Sequence, residues 1–204
     1  MKIAIDGPAA AGKGTLTKLL AQKIGATTLN TGKLYRVVAF SIQGGNIEEG
    51  AIANSANFLQ FLEKYGENPE IYSQTNSILT SQISAIPQVR ANLLEFQREF
   101  AAAHNPVILE GRDIGTHILP NADFKFYITA TAQERARRRY NQELENGINA
   151  NFEAILRAVI QRDKQDQTRT ENPLTPASDA IVIDTTGMSI EESLSKMLGV
   201  IDGK

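Results

Sequence analysis

The sequence predicts an α/β fold, a doubly wound parallel sheet of five strands with helices on both faces, and three observations lead there. Five short apolar runs rich in β-branched residues punctuate the 204 residues: Ile3–Ile5, Thr27–Leu29, Val107–Leu109, Phe124–Ile128 and Ile181–Ile183. They do not alternate apolar with polar residues, which is the pattern of strands covered on both faces. Between them lie longer segments with apolar residues at helical spacing, and right-handed crossovers of that kind set strands parallel.

Taken in order, Ile3–Ile5 is the first strand and stops at Asp6; Thr15–Ile24 is the first helix and Thr27–Leu29 the second strand. The remaining helical patterns are Val89–Ala103, Gln133–Glu145, Phe152–Asp163 and Ile190–Ile201. Two stretches exceed a minimal βαβ count. From Gly44 to Ala103 runs a polar, mostly helical insertion with a turn at Gly66-Glu67-Asn68-Pro69. From Arg135 to Arg169 two charged helices meet around Asn146-Gly147-Ile148-Asn149. Excursions of this length from a compact domain are either lids and binding elements or decoration. The reading is one domain, with residues 1–43, 104–134 and 170–204 as core.

Composition narrows the function. Hydrophobic residues make up 42% of the chain, enough for a substantial core. Lys and Arg (21) nearly balance Asp and Glu (23), and a net charge of -2 argues against a general nucleic-acid binder. With no Cys, disulfides, thiol catalysis and thiolate metal sites are excluded, and two histidines, His104 and His117, are too few for a His-rich metal site. No apolar run reaches the roughly 20 residues of a membrane helix, and Asp6 interrupts the N-terminal run. The expectation is a cytoplasmic protein without a resident metal, and a monomer, since no long apolar stripe stands out.

The chemistry starts at Gly7-Pro8-Ala9-Ala10-Ala11-Gly12-Lys13-Gly14-Thr15, which follows the first strand and opens the first helix. Glycines at both ends let the backbone turn so that successive N–H groups converge on phosphate oxygens, and the helix start adds positive potential. Lys13 reaches the β- and γ-phosphates, and Thr15 can position Mg²⁺ or a phosphate oxygen. Gly14 stands between Lys13 and Thr15, so the ending Gly-Lys-Gly-Thr resembles adenylate kinase and its relatives more than GTPases. The loop implies a nucleoside triphosphate and leaves the reaction open.

Further along, Asn30-Thr31-Gly32-Lys33-Leu34-Tyr35-Arg36 closes the second strand and starts a helix, with Thr31 as N-cap and Arg36 on the first turns. Such a tract is either a second anion site or an ordinary cap. Glu110-Gly111-Arg112-Asp113 ends the third strand, where ligands bind in this fold type; an isolated Arg-Asp pair is equally a local ion pair. Arg162, Asp166 and Arg169 share one helix face, as do Arg135, Arg138 and Arg139. Charged faces are usually solvated, yet phosphoryl transfer draws arginines around the moving group.

On these residues the chain resembles the bacterial-type cytidylate kinases. The likeness runs nearly end to end, through Ile5-Asp6-Gly7-Pro8, Thr31–Arg36, Ser81 to Arg90, Gly111-Arg112-Asp113-Ile114-Gly115-Thr116, Glu134–Arg139 and Arg162-Asp163…Asp166…Arg169. It implies phosphorylation of CMP and dCMP by ATP with Mg²⁺ carried on the nucleotide. It implies that Ser81, Arg90 and Asp113 read the cytosine edge, that Thr31, Arg36 and Arg112 hold the monophosphate, and that Gly111 also lies against the substrate. Residues 44–103 correspond to the acceptor-binding insertion and 135–169 to the lid, with Asp166 near the ribose hydroxyls and Arg162 and Arg169 at the transferred phosphoryl. Relatives commonly carry Asp-Ser where this chain has Asn30-Thr31, and Asp at Glu110; the stretch from Gly44 to Ser81 is shorter than in longer members, which carry a small β-meander there. The rival readings are a kinase of another small acceptor (UMP, AMP or a non-nucleotide) and a nucleotide-dependent switch.

Overall fold

The apolar runs form five strands: β1 (Lys2–Asp6), β2 (Thr27–Asn30), β3 (Val107–Gly111), β4 (Phe124–Thr129) and β5 (Ile181–Asp184). The structure, a computed structural model, describes residues 1–43 and 55–203. Its helices are α1 (Lys13–Ile24), α2 (Thr31–Gln43), α3 (Ser55–Tyr65), α4 (Gln74–Ile83), α5 (Pro87–Ala103), α6 (Ala132–Glu145), α7 (Phe152–Thr168) and α8 (Ile190–Asp202). The start of the insertion, from Gly44, lies outside the described residues.

The sheet order is β2-β3-β1-β4-β5. β1 pairs in parallel with β3 on one side and β4 on the other, Ala4 facing Leu109 and Lys125, and β4 pairs in parallel with β5. Expected burial on both faces is found for β1 and β3 but not for the edges. Thr27, Thr28 and Asn30 of β2 and Ile181, Val182 and Asp184 of β5 are exposed. Edge strands have one neighbour, so the same apolar composition is covered less there.

The chain divides into two compact units, Met1–Thr28 with Asn105–Lys204, and Leu29–His104. In the first, Leu16, Leu20 and Met197 of α1 and α8 close over Ile3, Ile5, Ile108, Phe126 and Ile128 on one face of the sheet. Each such fully buried side chain contributes about 1.5–3 kcal/mol. The opposite face carries Ala4, Asp6 and Lys125, and a single turn of π-helix, Ile114–Ile118, rests there: a Cβ added at Gly115 would lie 3.2 Å from the Lys125 Cδ. α6 and α7 pack as a hairpin on Ala136, Ile155 and Val159, with Tyr140 edge-on to Phe152.

In the second unit α2 is the hub. Its buried Leu34, Val37 and Val38 belong to a core that includes Phe58, Ile71, Ile83, Val89, Leu93 and Phe96, with the Phe58 and Phe96 rings edge-to-face at 5.1 Å. After Tyr65 the expected turn is present, and the Asn68 side chain accepts from the Glu70 N–H to start a 3₁₀ turn, Pro69–Tyr72.

Candidate active site

The phosphate loop takes its shape from backbone positions only small residues tolerate. Gly7 has φ +146°, and a Cβ there would sit 1.9 Å from the Ile128 carbonyl oxygen, so the loop passes directly against β4. Ala10 and Gly12 have left-handed φ of 60° and 92°, a geometry that turns successive N–H groups inward as an anion nest. Gly12 caps α1 without a side-chain bond, which leaves the first N–H groups of the helix to a ligand.

Lys13 lies buried within this loop, its Nζ donating to the carbonyls of Gly7 and Pro8, each at 2.8 Å. Burial, and next the Arg112 guanidinium, push its pKa well below the usual lysine range, while Glu110, Asp6 and Asp166 oppose that shift. Negative charge brought to the loop, such as phosphate oxygens, would oppose that shift by favouring the ammonium form. Glu110 is buried nearby: a Cβ added at Gly14 would lie 3.7 Å from its Oε1.

Two arginines singled out on the α6 face hold the loop from outside. Arg135 donates to the Ala9 carbonyl at 3.2 Å and to the Asp163 carboxylate of α7; Arg138 donates to the Ala11 carbonyl at 3.3 Å and to both oxygens of Thr185. Both therefore grip loop carbonyls, while Arg139 pairs with Glu143 one turn along α6.

The remaining arginines gather around buried Asp166, which receives Arg112 Nε at 3.2 Å and Arg162 Nε at 3.3 Å. Arg112, Arg162 and Arg169 hold the Asp166 carboxyl below the usual aspartate range against the opposing effect of burial. Only Arg162 and Asp166 are helical. Arg169 is the C-cap of α7, with extended backbone (φ -63°, ψ 143°), and its side chain turns to donate to the Asn172 carbonyl at 2.7 Å while lying 3.8 Å from Asp113. The sequence spacing therefore placed three residues on one helix face where the structure has two and a cap, because α7 ends at Thr168.

Asp6 is the residue sequence reasoning passed over. At the end of β1, its Oδ1 accepts from the Ile114 N–H at 2.8 Å and its Oδ2 from the Gly115 N–H at 2.7 Å. Burial raises its pKa to about 6, with these two N–H groups pulling the other way. The signal was present as an acid closing an apolar strand just before the loop, but its partners lie over a hundred residues away.

In the second unit the predicted residues are Thr31, Arg36, Ser81 and Arg90. Thr31 is buried as the first residue of α2, but the cap is Asn30, whose Oδ1 accepts from the Lys33 N–H at 3.0 Å. Arg36 donates to Ser77 Oγ at 2.9 Å and the Ile71 carbonyl at 3.1 Å, with Tyr72 under its guanidinium. Wholly buried Asn76 ties the same region by donating to the carbonyls of Arg36 and Ile71. Arg90 is buried over the Tyr35 ring and donates to the Ser84 carbonyl, and the Ser81 carbonyl accepts from Ser84 Oγ.

A parallel sheet whose first strand runs through a glycine-bounded, lysine-bearing turn into a helix, with guanidinium groups beside that turn, defines a P-loop kinase. Solved structures agree on the fold. An uncharacterized protein from Eubacterium ventriosum superposes with a TM-score of 0.57 at 14% identity, covering 100% of this chain and 99% of that one. A shikimate kinase from Bacteroides thetaiotaomicron gives 0.50 at 13% identity, covering 99% and 98%. At the sequence level, the profile of the cytidylate kinase family matches residues 3–202. The chain is 39% identical to a cytidylate kinase of Carboxydothermus hydrogenoformans, covering 100% of this chain and 98% of the relative. It is 41% identical to one of Caldicellulosiruptor bescii, covering 97% and 94%. The chain belongs to the cytidylate kinase family and is a nucleoside monophosphate kinase.

Proposed function

We propose that the chain catalyses ATP-dependent phosphorylation of CMP and dCMP, with Gly7–Thr15 holding the donor triphosphate. The observation that carries this reading is the family match across residues 3–202, joined to a buried Lys13 inside the loop. Thr31, Arg36, Gly111 and Arg112 bind the acceptor phosphate; Ser81, Arg90 and Asp113 read cytosine, a carboxylate suiting the N4 amino group and hydroxyl and guanidinium suiting O2 and N3. Asp166 orients the ribose.

The chemistry needs no strong base. An anionic oxygen of the acceptor phosphate attacks the γ-phosphorus, the bond to the β–γ bridging oxygen breaks, and ADP leaves with that electron pair. Lys13, Arg162 and Arg169 neutralise charge spreading over the moving group, and the α6–α7 hairpin excludes water that would otherwise hydrolyse ATP. Among the described residues no three His, Cys, Asp or Glu side chains gather as a metal site. With exposed Thr15 at the start of α1 and the Glu110 carboxylate close behind Gly14, the donor set fits Mg²⁺ carried mainly by the phosphates and touched by the Thr15 hydroxyl. Bound there, the ion offsets charge on the β- and γ-oxygens.

The test is ADP release from ATP·Mg²⁺ with CMP, dCMP, UMP or AMP as acceptor. CMP and dCMP should be the fastest acceptors; equal rates with AMP, or ADP release without any acceptor, would reject the assignment.

A further inference from the structure

Asp6 does not line the candidate site. Its side chain is buried, and both oxygens already accept backbone N–H groups. What it holds is the start of a turn whose later N–H groups, from His117 to Leu119, bond back to the Asp113 and Ile114 carbonyls. Asp113 has a non-helical backbone (φ -144°, ψ 27°) and makes no side-chain cap, so the turn Ile114–Ile118 begins with its N–H groups directed at another strand's carboxylate. The fit is close: a Cβ at Gly115 would meet Asp6 Oδ2 at 3.4 Å and Lys125 Cδ at 3.2 Å. Asp6 lies opposite Gly111 in the β1–β3 register, so the tether spans the short segment carrying Arg112 and Asp113.

We propose that Asp6 is a positioning residue for the phosphoryl acceptor: by clamping the N–H groups of Ile114 and Gly115, it fixes where Arg112 and Asp113 meet the nucleoside monophosphate. This rests on the function proposed above, and deepens it by assigning acceptor geometry to a residue that touches neither substrate. A carboxylate accepts both N–H groups with a full charge; an amide must point its NH₂ at one of them, and a protonated carboxyl loses the charge that strengthens both bonds. Because burial lifts the Asp6 pKa to about 6, the loss of that charge falls within a workable pH range, ionised above that value and protonated below it. The charged or titratable groups around it are Lys13 from α1, Asp113 from the turn, and from β4 Lys125, whose Nζ is bonded to the Pro120 carbonyl and Asp179, and Tyr127, whose own pKa is raised first by burial and then by Asp6.

The experiment compares the wild type with Asp6→Asn, varying each substrate separately from pH 5 to 8. At pH 8, the variant should lose roughly ten- to a hundredfold in kcat/KM for CMP, the range of one charge-assisted hydrogen bond, with KM for ATP changed less than about twofold. The ratio of wild-type to variant kcat/KM for CMP, which cancels ionisation of the substrate itself, should fall toward one as pH drops through about 6. Equal losses for CMP and ATP, or a ratio that does not change with pH, would overturn the proposal. If Asp6→Asn does not fold, the wild type decides by NMR. The amide protons of Ile114 and Gly115 and the Nε proton of Arg112 should titrate together; amides that move while Arg112 stays fixed also overturn it. A wild type that ignores CMP altogether rejects the proposed function instead, so the two failures are distinct.

Discussion

Lys13 shows why single residues decide this site. Its amino group is desolvated and bonded to the Gly7 and Pro8 carbonyls within the loop. Lys13→Ala should lower kcat on the order of 10³-fold or more while the protein remains folded, measured by ADP release. Asp113→Ala should raise KM for CMP far more than KM for ATP in the same assay, and equal effects would remove it from base recognition. Asp166 belongs to stability as well. Arg112 and Arg162 both donate to this buried carboxylate, so Asp166→Asn leaves two guanidinium groups facing each other and should cost about 1.5–3 kcal/mol at pH 7. The sign follows from its depressed pKa: the stabilisation is present above the ordinary aspartate value and is lost as pH falls through the folded one. Denaturation midpoints of variant and wild type should therefore converge in acid. Lys13 stood out by its place in the glycine-bounded loop, whereas Arg112, Asp113, Arg162, Asp166 and Arg169 became candidates chiefly through the family resemblance, since an Arg-Asp pair or a charged helix face is ordinary by itself. Asp6 was not legible, since a lone acid reveals nothing about amides 108 and 109 positions away.

Among elements, the strand-to-helix loop is held by contacts that are mostly backbone. The Ile128 carbonyl oxygen occupies the space of a Gly7 side chain, and Arg135 and Arg138 of α6 hold the Ala9 and Ala11 carbonyls. Gly7→Ala must push the loop off β4, and it should weaken ATP binding at least tenfold by isothermal titration while far-ultraviolet circular dichroism stays close to wild type. The strands and the helices α1, α5, α6 and α8 were read from periodicity to within a few residues, while α7 runs on to Thr168 through a polar stretch in which apolar spacing gives no guidance, α2 was given only its start, and α3 and α4 lay in a stretch read only as mostly helical. The α6 arginines show the limit of such reading. Their shared face was visible, but their targets are carbonyl oxygens, which every sequence possesses.

For the molecule as a whole, ligand linkage offers a test independent of turnover. ATP·Mg²⁺ at a hundred times its Kd should stabilise the folded protein by about 2.7 kcal/mol, or about 5–10 °C in melting temperature for a chain of this size. Lys13→Ala should show little of that shift, and chelating Mg²⁺ should reduce it. The fold class was legible because five apolar runs separated by helical spacings admit few arrangements; the exposed faces of β2 and β5 were not, since edge position follows from strand order, which no local pattern encodes. That order has a bearing on biosynthesis. β1 is the central strand, yet both its neighbours begin more than a hundred residues later, at Val107 and Phe124. On the ribosome the first strand, with the nucleotide loop behind it, emerges without a partner on either side and waits while the contiguous Leu29–His104 unit is made. The nascent chain therefore carries the apolar Ile3-Ala4-Ile5 segment without its native sheet partners through about half of the chain's synthesis, so the exposure that invites misassembly is longest for the strand that ends at the centre of the sheet.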